Sequence, residues 1–144
     1  MRGWNPVDEK PYSDSALWLV FTLCAYLKES GDLDILSEKV SYYDEGSETV
    51  LGHIEQALTF LENNKGSHGL ILIKFGDWND SLTAIGKEGR GESVWISIAY
   101  AEALRQMSEL SQYLEDNNRK SDFEMRRKTI SDAVNNNAWV FKML

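Results

Sequence analysis

Hydrophobic and polar positions divide the chain into four amphipathic stretches and one long segment where the pattern fails. Between Ser13 and Gly31, Ala16, Leu17, Leu19, Val20, Leu23, Cys24 and Leu27 recur at helical intervals. Ser13 is the expected N-cap, Asp14 puts a carboxylate on the first turn, and Gly31 can enter the left-handed conformation that ends a helix. Trp18, Phe21 and Tyr26 thicken the remaining faces, so this helix is expected to be buried on several sides. Asp32-Leu33-Asp34-Ile35-Leu36 predicts a cap and a single short turn.

A second helix is predicted to open at Ser47 or Thr49 and to close at Asn63-Asn64-Lys65-Gly66, with Val50, Leu51, Ile54, Ala57, Leu58 and Leu61 on one stripe. A third runs from about Ser93 to Leu114, burying Ile96, Ala99, Tyr100, Ala103, Leu104, Met107 and Leu110. Asn117-Asn118-Arg119-Lys120 reads as its break, and Ser121 with Glu124 as the capping box of a fourth helix reaching about Asn137. Residues 66–92 fit no helical period: they hold repeated glycines, His68, the apolar run "LILIKF" and an acid cluster. Structureless connections beyond about 12–15 residues are uncommon and usually functional. With no strand-like segment to pair with, "LILIKF" reads as extended loop. The expected fold class is therefore all-α, with four long helices and one long glycine-rich loop in a single domain over residues 1–144.

Composition narrows the classes of function. The chain has 144 residues, 42% hydrophobic and 26% charged, an ordinary globular balance. A net charge of −8 disfavours nucleic acid and anionic membranes as partners. The longest apolar run, Ala16 to Leu27, is short of the about 20 residues needed to cross a bilayer. Met1 to Lys10 lacks the apolar core of a signal peptide. The single cysteine, Cys24, excludes an internal disulfide and reads as a buried thiol in a reducing compartment. A cytoplasmic location is the expectation.

The chemistry concentrates in Asp77-Trp78-Asn79-Asp80. A polar turn accounts for the acids and the amide, with Trp78 tucked inward as packing. A calcium loop is a second reading, since Asp77, Asn79, Ser81, Thr83 and Glu88 fall at oxygen-bearing positions of an EF-hand. Leu82, however, stands where that loop needs glycine, and no helix precedes it. The third reading is a sugar site. An indole offers a flat apolar face to the C–H side of a pyranose, while carboxylates and amides take its hydroxyls. A carboxyl beside such a wall is partly desolvated, which favours its protonated form and suits it to donate a proton to a glycosidic oxygen. Gly76, Gly86, Gly89 and Gly91 would let backbone approach a ligand closely.

The string "GDWNDSLTAIGKEGRGESVW", with "YSDSALWLVFTLCAYLKESGDLDIL" and "ETVLGHIEQALTFL", resembles the catalytic domain of glycoside hydrolase family 94 over roughly residues 5–139. That family comprises the inverting disaccharide phosphorylases, among them cellobiose, chitobiose and 1,2-β-oligoglucan phosphorylases, and the related region of cyclic β-1,2-glucan synthases. The resemblance implies a six-hairpin α/α barrel, of which four helices would form a part. It implies a hexosyl-transferring enzyme with Asp80, the second Asp of the string, as general acid and Trp78 at the donor sugar. It also implies inorganic phosphate as co-substrate, a β-linked gluco-disaccharide or oligosaccharide as the other partner, and no further cofactor. Asp77, Asn79, Asp14, Arg90 and Glu92 are the remaining substrate-binding candidates.

Two departures from the family pattern matter. The family's acid pair before the first helix is Asp14-Ser15 here, and Glu9 and Lys10 stand where an arginine is usual, which leaves the donor sugar open. The family's enzymes are also several times longer. The chain is accordingly expected to be a fragment, inactive alone, with exposed helix faces that favour self-association. The contrasting reading is a non-catalytic helical module that binds sugar or associates with itself. Of the remaining candidates, His53 reads as structural, Trp18 and Trp95 as core, His68 as a turn residue or a ligand, and Lys74 as a weak anion contact.

Overall fold

The computed structural model describes residues 12–79 and 84–139. Its order is α1 (Ser15–Ser30), a 3₁₀ turn (Asp34–Ser37), β1 (Lys39–Ser41), β2 (Ser47–Thr49), α2 (Val50–Glu62), β3 (Ile71–Leu72), β4 (Glu92–Ser93), α3 (Val94–Tyr113) and α4 (Asn117–Asn137). The architecture is mostly helical, with two small antiparallel ribbons that the all-α expectation did not contain. In the first, Lys39 pairs with Thr49 and Ser41 with Ser47. In the second, Ile71 pairs with Ser93 and Leu72 with Glu92, so "LILIKF" does find a partner. That partner is two polar residues leading into α3, a strand too short and too hydrophilic to show in the sequence pattern.

Local caps set some helix ends, and distant partners set others. Thr49 caps α2, its hydroxyl accepting from the Gly52 N–H at 3.0 Å. Gly31 ends α1 in the left-handed conformation at φ 67°, as expected. The N-cap of α1 is Asp14 instead of Ser13, because the Ser13 hydroxyl donates to the Leu72 carbonyl at 2.7 Å. Helix α4 opens four residues before the expected capping box. Asp116 is its N-cap, accepting from the Arg119 N–H at 3.0 Å, so Asn117 to Lys120 form the first turn and not a break. The reversal between α3 and α4 is instead taken by Glu115, in the left-handed region at φ 60°.

The core lies where α1 meets α2 and α3 and where α3 runs beside α4. Leu17, Val20, Ile54, Leu58, Leu61, Ile96, Tyr100, Leu104, Met107 and Ile130 are sealed there. Each such aliphatic side chain contributes roughly 1.5–3 kcal/mol on burial. Cys24 joins the cluster as a free thiol, and burial pushes its pKa up. The expectation of a helix buried on several sides fails for α1. Trp18, Leu19 and Tyr26 are exposed, since α2 and α3 meet only the face carrying Leu17, Val20, Leu23 and Cys24. Among the described residues no helix is long and apolar enough to cross a membrane.

A polar clasp runs through this core. The Tyr100 hydroxyl donates to Glu62 Oε2 at 2.7 Å, and Lys65 pairs with the other carboxylate oxygen. Burial would raise the Glu62 pKa, but the hydrogen bonds from Lys65 and Tyr100 outweigh it and hold the group below its ordinary 4.5. A depressed carboxylate adds stability above its unfolded pKa, and that contribution is lost as pH falls through the lower folded value. Acid titration followed by circular dichroism is therefore expected to show Glu62→Gln starting less stable at neutral pH. It should then lose less stability than the wild type below about pH 4.5.

Candidate functional site

Three segments converge: the start of α1, the loop from Ile73 to Asn79, and the entry to α3. The Ser13 N–H donates to the Gly76 carbonyl at 3.2 Å, and Tyr12 bridges to Lys74 and Gly76. The Tyr12 ring packs edge-on against Phe75 at 5.1 Å. From the other side, the Ile73 N–H donates to the Gly91 carbonyl at 2.8 Å and the Ile71 N–H to the Ser97 hydroxyl at 2.9 Å. The loop is thus stitched along both flanks before it reaches Asp77. Lys74 sits in the left-handed region at φ 56°.

Two glycines are dictated by close approach. A Cβ on Gly86 would lie 1.5 Å from the Lys74 carbonyl oxygen, and one on Gly91 would lie 2.5 Å from that of Ile85. The glycine-rich segment folds back on the loop at a distance that only glycine permits.

At the mouth of this assembly three indoles gather. Trp18 lies 5.9 Å from Trp78 and 6.5 Å from Trp95 between ring centroids, in tilted arrangements. Trp18 and Trp95 were expected in the core, yet they are 44% and 39% exposed, and Trp78 is 66% exposed. Trp18 and Trp95 stand on the first turns of α1 and α3, packed against each other and still partly exposed. Beside them a cavity of about 340 Å³ is lined by Asp77, Trp78, Asn79, Ile85, Val94 and Trp95.

The acidic candidates lie deeper. Asp14 is buried and its Oδ2 accepts from the Trp18 indole N–H at 2.9 Å. Asp77 is also buried; Oδ2 accepts from the Ser93 hydroxyl at 2.6 Å and Oδ1 from the Asn79 N–H at 2.9 Å. Asp80 lies outside the described residues, as do Ser81, Leu82 and Thr83, which the calcium reading also requires. Among the described residues no three metal-ligating side chains come together.

Glu92 and Arg90 diverge. The Glu92 carboxylate turns inward and holds the 66–70 turn, accepting from the N–H groups of His68 and Leu70 at 3.0 and 3.3 Å. Its second oxygen lies 2.5 Å from His68 Nδ1, which gives His68 a partner within the protein. The same turn is fastened to the end of α4, where the Asn137 amide donates to the His68 carbonyl at 3.0 Å. Arg90 is exposed and pairs with Glu88. His53, read as structural, lies 2.9 Å through Nε2 from the Val40 carbonyl and packs on Tyr42. Ser93 was not singled out from the sequence as a site residue. Its position at the expected start of α3 was the available signal.

Residues 7–142 match the Glycosyl hydrolase 94 superfamily, catalytic domain. The chain belongs to this family. Its similarity to a solabiose phosphorylase of Paenibacillus borealis is 44% identity over 140 residues, covering 96% of this chain and 18% of the relative. A cellobionic acid phosphorylase of Neurospora crassa is 32% identical over 90% of the chain and 16% of its own length. The cyclic beta-(1,2)-glucan synthase NdvB of Rhizobium meliloti is 30% identical over 88% of the chain and 5% of its own length. The chain therefore spans less than a fifth of these glycosyl hydrolase 94 relatives.

Proposed function

We propose that this chain supplies the acid-bearing sugar site of an inverting phosphorylase acting on a β-linked disaccharide or oligosaccharide. The observation that carries the reading is the family match over nearly the whole chain, set beside a cavity walled by the indoles of Trp78 and Trp95. In the proposed reaction Asp80 gives its proton to the glycosidic oxygen while inorganic phosphate attacks the anomeric carbon from the opposite face. The C–O bond to the leaving sugar breaks, a C–O bond to phosphate forms, and the β-configuration becomes an α-sugar 1-phosphate. An inverting hydrolase needs a second carboxylate to activate water; phosphate is already a nucleophile, so one acid suffices.

Trp78 and Asn79 are the groups best placed to meet the sugar, since both are exposed at the cavity. Asp14 and Arg90 are proposed as supporting contacts, and the four helices as part of an α/α barrel. The exposed face of α1 supports a second reading, a helical module that associates with itself. The test is release of sugar 1-phosphate from β-linked glucose disaccharides, with and without phosphate, by this chain and by a longer polypeptide that includes it. Release by the longer form that requires phosphate is the expected result. Cleavage in the absence of phosphate would favour hydrolysis, and no cleavage by either form would favour the associating module.

A further inference from the structure

We infer that Asp77 is a positioning residue, which acts through Ser93 to fix the indole of Trp78 against that of Trp18. Asp77 is only 5% exposed, and both of its oxygens are engaged by the protein. One oxygen accepts from the Asn79 N–H, closing a tight turn whose middle residue is Trp78. The other accepts from the Ser93 hydroxyl. That hydroxyl in turn accepts from the Ile96 N–H at 3.1 Å, as the N-cap of α3. One hydroxyl thus joins the turn carrying Trp78 to the helix whose second residue is Trp95.

The opposite indole is set in a matching way. Asp14 receives the Trp18 indole N–H, and Ser13 beside it ties the start of α1 to the loop. Each member of the Trp18–Trp78 pair is therefore oriented by a buried carboxylate. An exposed indole on a glycine-rich loop would otherwise sample several rotamers, each displacing its face from the sugar. This inference rests on the proposed sugar site for its purpose but not for its test.

The test is spectroscopic and uses the 144-residue chain. Subtracting the near-ultraviolet circular dichroism spectrum of Trp78→Phe from that of the wild type isolates the contribution of Trp78 and its coupling to Trp18. Asp77→Asn keeps the side-chain shape but offers a single oxygen where two are used. It is expected to lose most of that difference band and to make Trp78 more accessible to acrylamide, with helical ellipticity unchanged. Ser93→Ala should do the same, while Ser93→Thr, which keeps the hydroxyl, should restore the band. A difference band that survives Asp77→Asn and Ser93→Ala in folded protein overturns the inference. So does a band lost only together with the helical signal in both variants, because Asp77 would then be a general support of the fold. Neither result depends on phosphorolysis, so an Asp77-dependent band beside a longer form that releases no sugar 1-phosphate would count against the proposed reaction alone.

Discussion

Replacing Asp80 by Asn in a longer polypeptide that carries out the proposed reaction is expected to lower phosphorolysis of a β-linked disaccharide by about 10²–10⁴-fold, the usual contribution of a positioned general acid. The amide retains shape and hydrogen bonding but has no proton to give the departing sugar oxygen. The loss should fall on kcat, leaving KM for the disaccharide little changed, because the proton moves only as the bond breaks. The deficit should also depend on the leaving group. An aryl glycoside such as a nitrophenyl β-glucoside leaves as a stabilised phenolate and needs little protonation. Asp80→Asn should therefore be far less impaired on it than on the disaccharide. Equal impairment on both substrates would point to a binding role for Asp80 and remove the proposed chemistry.

The second large effect is expected at Gly86. An alanine Cβ there would sit 1.5 Å from the Lys74 carbonyl oxygen, a separation no non-bonded pair tolerates. Either the glycine-rich segment or the loop from Ile73 to Asp77 has to move. Overpacking of this kind costs about 1–3 kcal/mol, and a displacement near 1 Å at a positioned group can cost about 10²-fold in rate. Gly86→Ala should therefore lower both the thermal midpoint and kcat. Gly89→Ala, where an added Cβ meets open space but the backbone is left-handed at φ 67°, should lower stability modestly with less effect on rate. If Gly86→Ala matched the wild type in both measurements, the close approach of the two segments would be wrong.

The helices were legible because their signals are local and repeated. The α3 stripe of Ile96, Tyr100, Ala103, Leu104 and Met107 is buried as its period required, and Thr49 and Gly31 end their helices by chemistry visible in the residues themselves. Less legible were features that depend on distant partners. Ser13 looks like a cap until the Leu72 carbonyl claims its hydroxyl. Asn117 and Asn118 look like breakers until Asp116 caps the helix they begin. The strand pairing of Ile71 with Ser93 carries no pattern at all, being two residues on each side.

The site was legible in part for the same reason. Asp77 to Asp80 stand out as a cluster, but nothing in the string reveals that Asp77 is buried against Ser93 while Trp78 faces outward. Glu92 and Arg90 are near neighbours, yet one turns into the 66–70 turn and the other into solvent. Trp18 and Trp95 fit their helical stripes well enough to pass for core. Their exposure follows from which helices are present to cover them, which periodicity cannot report.

The Asn137 amide that holds the His68 carbonyl makes the last turn of α4 an anchor for the 66–70 turn. Gly69 lies under Ala133 on the same helix, close enough that an added Cβ would touch it at 3.4 Å. Substitutions at positions 133 and 137 are therefore expected to shift the 66–70 turn from the far end of α4. Such variants would be epistatic with substitutions in the 66–70 turn.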